Sequence, residues 1–133
     1  MVGLSQAIRE QCEALGYRSG AQVECEIGQL PGEELLPPGA QEAVFRVVQE
    51  ALRNIARHAR AKHVQLHLGE AEDGSGVVLV VRDDGQGFDA HNSARGAGLA
   101  GMRVRAAGLD GRLEVESTPG LGTRVTLRIP YQA

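Results

Sequence analysis

Apolar residues recur along this chain with two periods, and the change of period marks its elements. From Ala40 to Arg60, Val44, Val47, Val48, Ala51, Leu52, Ile55 and Ala59 fall at spacings of three, one, three, one, three and four. That builds one apolar stripe on a long helix. Leu4, Ala7, Ile8 and Leu15 predict a shorter helix over Leu4 to Leu15, ending near Gly16. Gly98 to Ala107 predicts a third helix, closed by Gly108. Elsewhere the period falls to two. Val23 to Ile27 reads Val-Glu-Cys-Glu-Ile, as a strand with one buried face should. Val64 to Leu68, Arg112 to Glu116 and Thr123 to Ile129 alternate in the same way. Val77 to Val81 is wholly apolar and, with Arg82, predicts a strand entered through Gly74-Ser75-Gly76. Thr118-Pro119-Gly120 turns between the last two strands.

The order is helix, strand, helix, strand, strand, helix, strand, strand. Strands do not alternate strictly with helices, so a doubly wound parallel sheet fits poorly. The expected class is α+β. It is a two-layer α/β sandwich whose mixed, mostly antiparallel sheet of about five strands is covered on one face by about three helices.

Composition narrows the picture. A chain of 133 residues suits one domain over residues 1–133, with 1–22 as lead-in and 23–130 as core. At this length about two-thirds of the unfolded surface can be buried. Two Phe, two Tyr and no Trp leave the core to aliphatic residues. A net charge of −3 with no basic block gives no reason to expect nucleic acid as a partner. Cys12 and Cys25 are the only cysteines and have no zinc spacing, so free thiols in a reducing compartment are expected. The longest apolar run, Val77 to Val81, is far too short to span a membrane, and Met1 to Ser5 lacks the start of a signal peptide. A cytoplasmic location with no direct membrane contact is expected, equally compatible with the cytoplasmic part of a membrane-bound protein.

Three constellations can carry chemistry. Glu50, Asn54 and His58 form an i,i+4 row that drifts to the edge of the apolar stripe. An amide at that border packs poorly unless it binds something. The Asn54 carbonyl oxygen can ligate Mg²⁺, a hard cation that takes oxygen donors. Glu50 can accept a proton or orient an attacking group. A solvated helix face is the competing reading of this row. The second constellation is Asp83-Asp84-Gly85-Gln86-Gly87-Phe88, after the apolar strand. Asp83 can accept a hydrogen bond from an exocyclic amine such as adenine N6, and Gly85 and Gly87 let the backbone come close. Asp-Gly pairs also mark ordinary turns, so this run is ambiguous alone.

The third is Gly96-x-Gly98-x-x-Gly101, a literal dinucleotide fingerprint with Glu116 twenty residues beyond Gly96. The fingerprint needs a strand directly before its first glycine, and Asp89 to Arg95 read as loop. What remains is a glycine-led helix N-terminus, which attracts phosphate. Lys62 lacks the glycines of a Walker loop. His63 and His67 alternate along a strand and line one face, and no histidine has metal spacing. No serine has a nucleophile-elbow context.

Together these blocks resemble the catalytic ATP-binding domain of bacterial sensor histidine kinases. Val48 to Ala59 resembles the N box, Asp83 to Phe88 the G1 box and Gly96 to Arg103 the G2 box, and Pro119 to Thr123 matches the late glycine–threonine element. The resemblance implies the Bergerat-type ATP-binding fold shared with gyrase, mismatch-repair ATPases and a heat-shock chaperone. It implies ATP and Mg²⁺ as ligands, with Asn54 on the metal and Asp83 reading the adenine amine. Gly85 and Gly87 shape the adenine pocket, and Phe88 begins a short lid. Gly96, Gly98 and Leu99 meet the phosphates, as do Arg57 and His58 after the N-box Asn. Thr123 supports the adenine side, and Glu50 helps deprotonate or orient the acceptor. The eight residues between Gly87 and Gly96 and the Gly-Met-Arg ending resemble kinases that partner nitrate-response-type regulators. The implied partners are a histidine-bearing dimerisation domain of the same kinase and a downstream response regulator. No such acceptor domain fits in about 22 lead-in residues, so the chain is expected to be the excised catalytic part of a larger kinase. A serine protein kinase of the anti-sigma class and a non-catalytic nucleotide-binding module are the alternatives.

Overall fold

The computed structural model describes residues 2–88 and 96–132. Helix α1 (Val2–Ser19) buries Leu4, Ile8, Cys12 and Leu15 on one side. It continues through Gly16, the expected stop, which keeps helical geometry. The helix ends instead at Gly20, whose φ of +72° suits a left-handed closing residue. The Ser19 hydroxyl caps this end by donating to the Leu15 carbonyl at 2.7 Å. After strand β1 (Gln22–Ile27) and a 3₁₀ turn (Glu33–Leu35), helix α2 (Ala40–Asn54) buries Val44, Val47, Val48, Ala51 and Leu52. The single long helix expected to Arg60 is interrupted. From Ile55 to Ala59 the chain winds as a π turn, closed by Arg60 at φ 51°. Such turns widen the helix locally and recur at functional sites.

Strands β2 (His63–Glu70) and β3 (Gly76–Asp83) form a hairpin. Helix α3 (Gly96–Ala107) is followed by a second hairpin, β4 (Arg112–Thr118) and β5 (Gly122–Pro130). The sheet order is β1-β2-β3-β5-β4. Among the described strands only β1 and β2 pair in parallel. The mixed, mostly antiparallel sheet with three α-helices is the architecture expected from the sequence.

The register makes layers of the inner face. Leu68, Leu79, Leu127 and Leu113 lie side by side in one row. The next row is Leu66, Val81, Val125 and Val115. All but the half-buried Val115 are buried in these two rows, which form the core under α1, α2 and α3. The outer face carries Glu24, Glu26, His63, Gln65, His67, Arg82, Arg124 and Arg128, all exposed. Alternation was readable in the sequence because one face is wet and the other dry. Among the described residues no helix is long and apolar enough to cross a membrane.

Candidate nucleotide site

One row further along, the inner face changes character. Val64 is followed across the sheet by Asp83, Thr123 and Ser117. Three neighbouring strands thus present a carboxylate and two hydroxyls where the rows behind them present leucine and valine. A cavity lies over this polar end. Asp83, Val81 and Thr123 form its floor, Ala51, Asn54 and Ile55 of α2 and the π turn its roof, and Phe88 and Leu99 its sides.

The Asp83 carboxylate is half-buried and accepts a hydrogen bond from the Gly85 N–H at 2.8 Å. Burial pushes its carboxyl above the usual range, partly offset by that hydrogen bond, and the neighbouring Asp84 charge adds to the rise. Asp83 lines the cavity floor, and an ionised carboxylate there offers only acceptors. Across the cavity, the Asn54 side-chain nitrogen is buried without a hydrogen-bond partner. An unsatisfied buried amide costs about 1–3 kcal/mol, so its presence points to a ligand that completes it. Turned over, the same carboxamide offers its carbonyl oxygen instead. Oxygen donation of this kind suits Mg²⁺ bound mostly through ligand phosphates.

Glycines hold the loop after β3 against the β4–β5 hairpin. Gly87 has φ +66°, and a Cβ there would strike the Thr118 carbonyl oxygen. Gly122 has φ +92°, and its Cβ would strike the Asp83 carbonyl oxygen. The Gly120 N–H donates to the Gln86 carbonyl. Gly87 is therefore required for loop–hairpin packing, which places Asp83 and Phe88 on the cavity. Asp84 points away and pins the chain that leaves the π turn. Its carboxylate accepts from the backbone N–H groups of Lys62 at 2.8 Å and His63 at 2.9 Å, and meets His63 Nδ1 at 2.7 Å. These contacts hold its carboxyl down to about 2.

On the helix side, a Cβ at Gly98 would run into the Glu50 carboxylate, with the carboxylate carbon 2.7 Å away. Glu50 therefore lies against the first turn of α3, which begins at Gly96. The Leu99 side chain is fully buried in the cavity wall. Arg57 is exposed on the π turn and does not line the cavity. The His58 side chain and residues 89–95, which include most of the expected lid, lie outside the described residues. The unfilled space is about 20 Å³, room for one water.

The structure brings Asn54, Asp83, Gly87, Phe88, Leu99 and Thr123 to one cavity. Sequence reasoning missed Ser117, whose hydroxyl joins Thr123 to Phe88. The signal was present: alternation from Leu113 and Val115 puts Ser117 at an inward position, where a polar residue is out of pattern.

The model of the histidine kinase-, DNA gyrase B-, and HSP90-like ATPase family matches residues 39–133. The sensor histidine kinase YxjM of Bacillus subtilis is 36% identical over 130 residues, covering 98% of this chain and 30% of that protein. The histidine-protein kinase/phosphatase DegS of Brevibacillus brevis is 39% identical over 98 residues, covering 73% of this chain and 25% of that protein. The chain thus spans less than a third of either kinase. Among solved structures, the histidine kinase domain of the Erythrobacter litoralis EL346 blue-light activated kinase superposes with a TM-score of 0.72 at 22% identity, covering 96% of this chain and 60% of that one. Acinetobacter baumannii AdeS superposes with a TM-score of 0.73 at 13% identity, covering 98% and 64%. At these identities the superpositions establish the fold, and with it the layered arrangement that puts α2 over the polar end of the sheet. The sequence match, covering the helix of Asn54, the strand of Asp83 and the hairpin of Thr123, establishes that this chain belongs to the histidine kinase-, DNA gyrase B-, and HSP90-like ATPase family.

Proposed function

We propose that this chain is the catalytic ATP-binding domain of a two-component sensor histidine kinase. It binds Mg-ATP and donates the γ-phosphoryl group to a histidine on a separate dimerisation domain, from which a response regulator is served. The observation that carries this reading is the pairing across one cavity of a half-buried carboxylate, Asp83, with the unsatisfied Asn54 amide. Asp83 accepts from the adenine amine. Asn54 supplies an oxygen to Mg²⁺, which neutralises phosphate charge when bound. Gly96, Gly98 and the backbone of Leu99 at the start of α3 turn N–H groups toward the phosphates. Arg57 and His58 approach the phosphates from the π turn. Thr123 supports the adenine side, and Gly85 and Phe88 bound it. Glu50, at the edge of the phosphate end, orients or deprotonates the acceptor. The relatives' names and their greater length support a parent kinase in which this domain is one part, working on the cytoplasmic side. The short loop after Gly87 and the Gly-Met-Arg run at Gly101 to Arg103 favour the subfamily that partners nitrate-response-type regulators.

Calorimetric titration with ATP, with and without Mg²⁺, tests the site. Saturable, Mg²⁺-dependent binding is expected, and no binding would refute it. Adding a histidine-bearing dimerisation domain and labelled ATP tests the reaction. Acid-labile, alkali-stable label on that partner is expected, and acid-stable label would assign a serine kinase instead. The chain alone is expected not to label itself.

A further inference from the structure

Ser117 sits at the end of the polar row and makes three contacts. Its Oγ accepts from the Phe88 N–H at 2.8 Å, lies 3.2 Å from the Gly122 carbonyl oxygen and lies 2.7 Å from Thr123 Oγ1. A serine hydroxyl has one proton and two acceptor positions. The Phe88 N–H takes one acceptor position. The Gly122 carbonyl can only accept, so that contact is a hydrogen bond only if it receives the serine proton. Thr123 must then donate its own proton to the second acceptor position of Ser117. This is the one arrangement in which all three contacts are hydrogen bonds. Its consequence is directional. The Thr123 proton is committed away from the cavity, and Thr123 Oγ1 turns lone pairs toward it. Asp83, beside Thr123 in the sheet, also offers only acceptors when ionised. The polar floor then holds acceptors side by side and no side-chain donor.

We infer that Ser117 is a specificity-determining positioning residue: by orienting the Thr123 hydroxyl as an acceptor, it makes the site select a purine carrying a 6-amino group over one carrying a 6-oxo group. An amine brings two protons to two acceptors. A 6-oxo group brings lone pairs against lone pairs, leaving both sides unpaired. Without the Ser117 hydroxyl, Thr123 is free to rotate and donate, and a carbonyl at that position gains a partner. The inference rests on the ATP-site reading and adds to it a residue that need not touch the ligand.

The test compares the affinities of the chain for ATP and for inosine triphosphate in Mg²⁺, with thermal melting to establish folding. Wild type is expected to prefer ATP. Ser117→Ala should reduce the ATP-to-inosine-triphosphate preference by about three- to tenfold, the worth of one neutral hydrogen bond. Ser117→Thr, which keeps the hydroxyl, should restore it. If Ser117→Ala does not fold, Ser117→Cys keeps the shape with a weaker donor and acceptor and should give an intermediate preference. An unchanged preference in a folded variant overturns the inference. Equal weakening of both nucleotides also overturns it, because a merely structural serine would act on both alike. Failure of wild type to bind either nucleotide refutes the site reading itself, and this inference with it.

Discussion

Two ends of the same inner sheet face do opposite work. At one end Leu68, Leu79, Leu127 and Leu113 lie side by side and are sealed under helices. At the other, Asp83, Thr123 and Ser117 occupy equivalent positions on β3, β5 and β4. The backbone pairing is the same, and only the side chains differ. The leucine row contributes stability through burial. The polar row gives up that burial, and burial raises the Asp83 carboxyl as the cost of placing it there. A cavity with a polar floor can thus be made by replacing a single layer of a core, provided the helix above also changes. Here α2 gives way to a π turn directly after Asn54, over the polar end.

The largest effect should come from attacking the leucine row. Leu127→Ala should lower unfolding free energy by about 2–5 kcal/mol in urea titrations. The folded fraction should bind ATP with little change, because Leu127 does not line the cavity. The polar row should answer in reverse. Asp83→Asn should weaken ATP by roughly 1–3 kcal/mol, read by calorimetry. The same change should hold or raise the melting temperature near neutral pH. The sign follows from the raised carboxyl: its ionisation in the fold is penalised, and the penalty grows as pH rises through the folded-state value. Wild-type ATP affinity should correspondingly fall in mild acid, at higher pH than an ordinary carboxylate would dictate.

Smaller effects sharpen the contrast. Asn54→Ala should bring Mg-ATP affinity close to that measured in a chelator, a loss of about 1.5 kcal/mol or more. The smallest effect is expected at Asp84, which supports the site from outside. Its carboxyl is held at about 2, so its stabilisation is present above the ordinary value of 3.8 and is lost as pH falls through about 2. With 46% of the side chain exposed, solvent screening limits this to about 1 kcal/mol or less. Asp84→Ala should therefore show a shallower acid limb in a pH series of melting temperatures.

Much of this was legible beforehand. The stripe on α2 and the alternation of β2, β4 and β5 are local signals, each imposed by one buried face. Asp83 and Asn54 stood out as polar groups at the borders of apolar runs. The end of α1 is not legible, because Gly16 resembles a helix stop whereas the positive φ at Gly20 makes the stop. The π turn left no mark, since its residues continue the helical pattern. In the sequence Gly87 signals ligand access, and the fold shows that it also answers to Thr118, 31 positions along the chain.

By itself, the sequence determined where helices and strands form, which face of each is apolar and which residues break that pattern. Local periodicity carries these, because they depend on neighbours a few positions away. Only the tertiary structure decided that β3 pairs with β5 across an intervening helix and strand, in a register that aligns Asp83, Thr123 and Ser117. Register is a property of two strands together, set by which alignment buries both apolar faces at once. No residue in the row announces its partners, so the polar layer exists only once the sheet has formed.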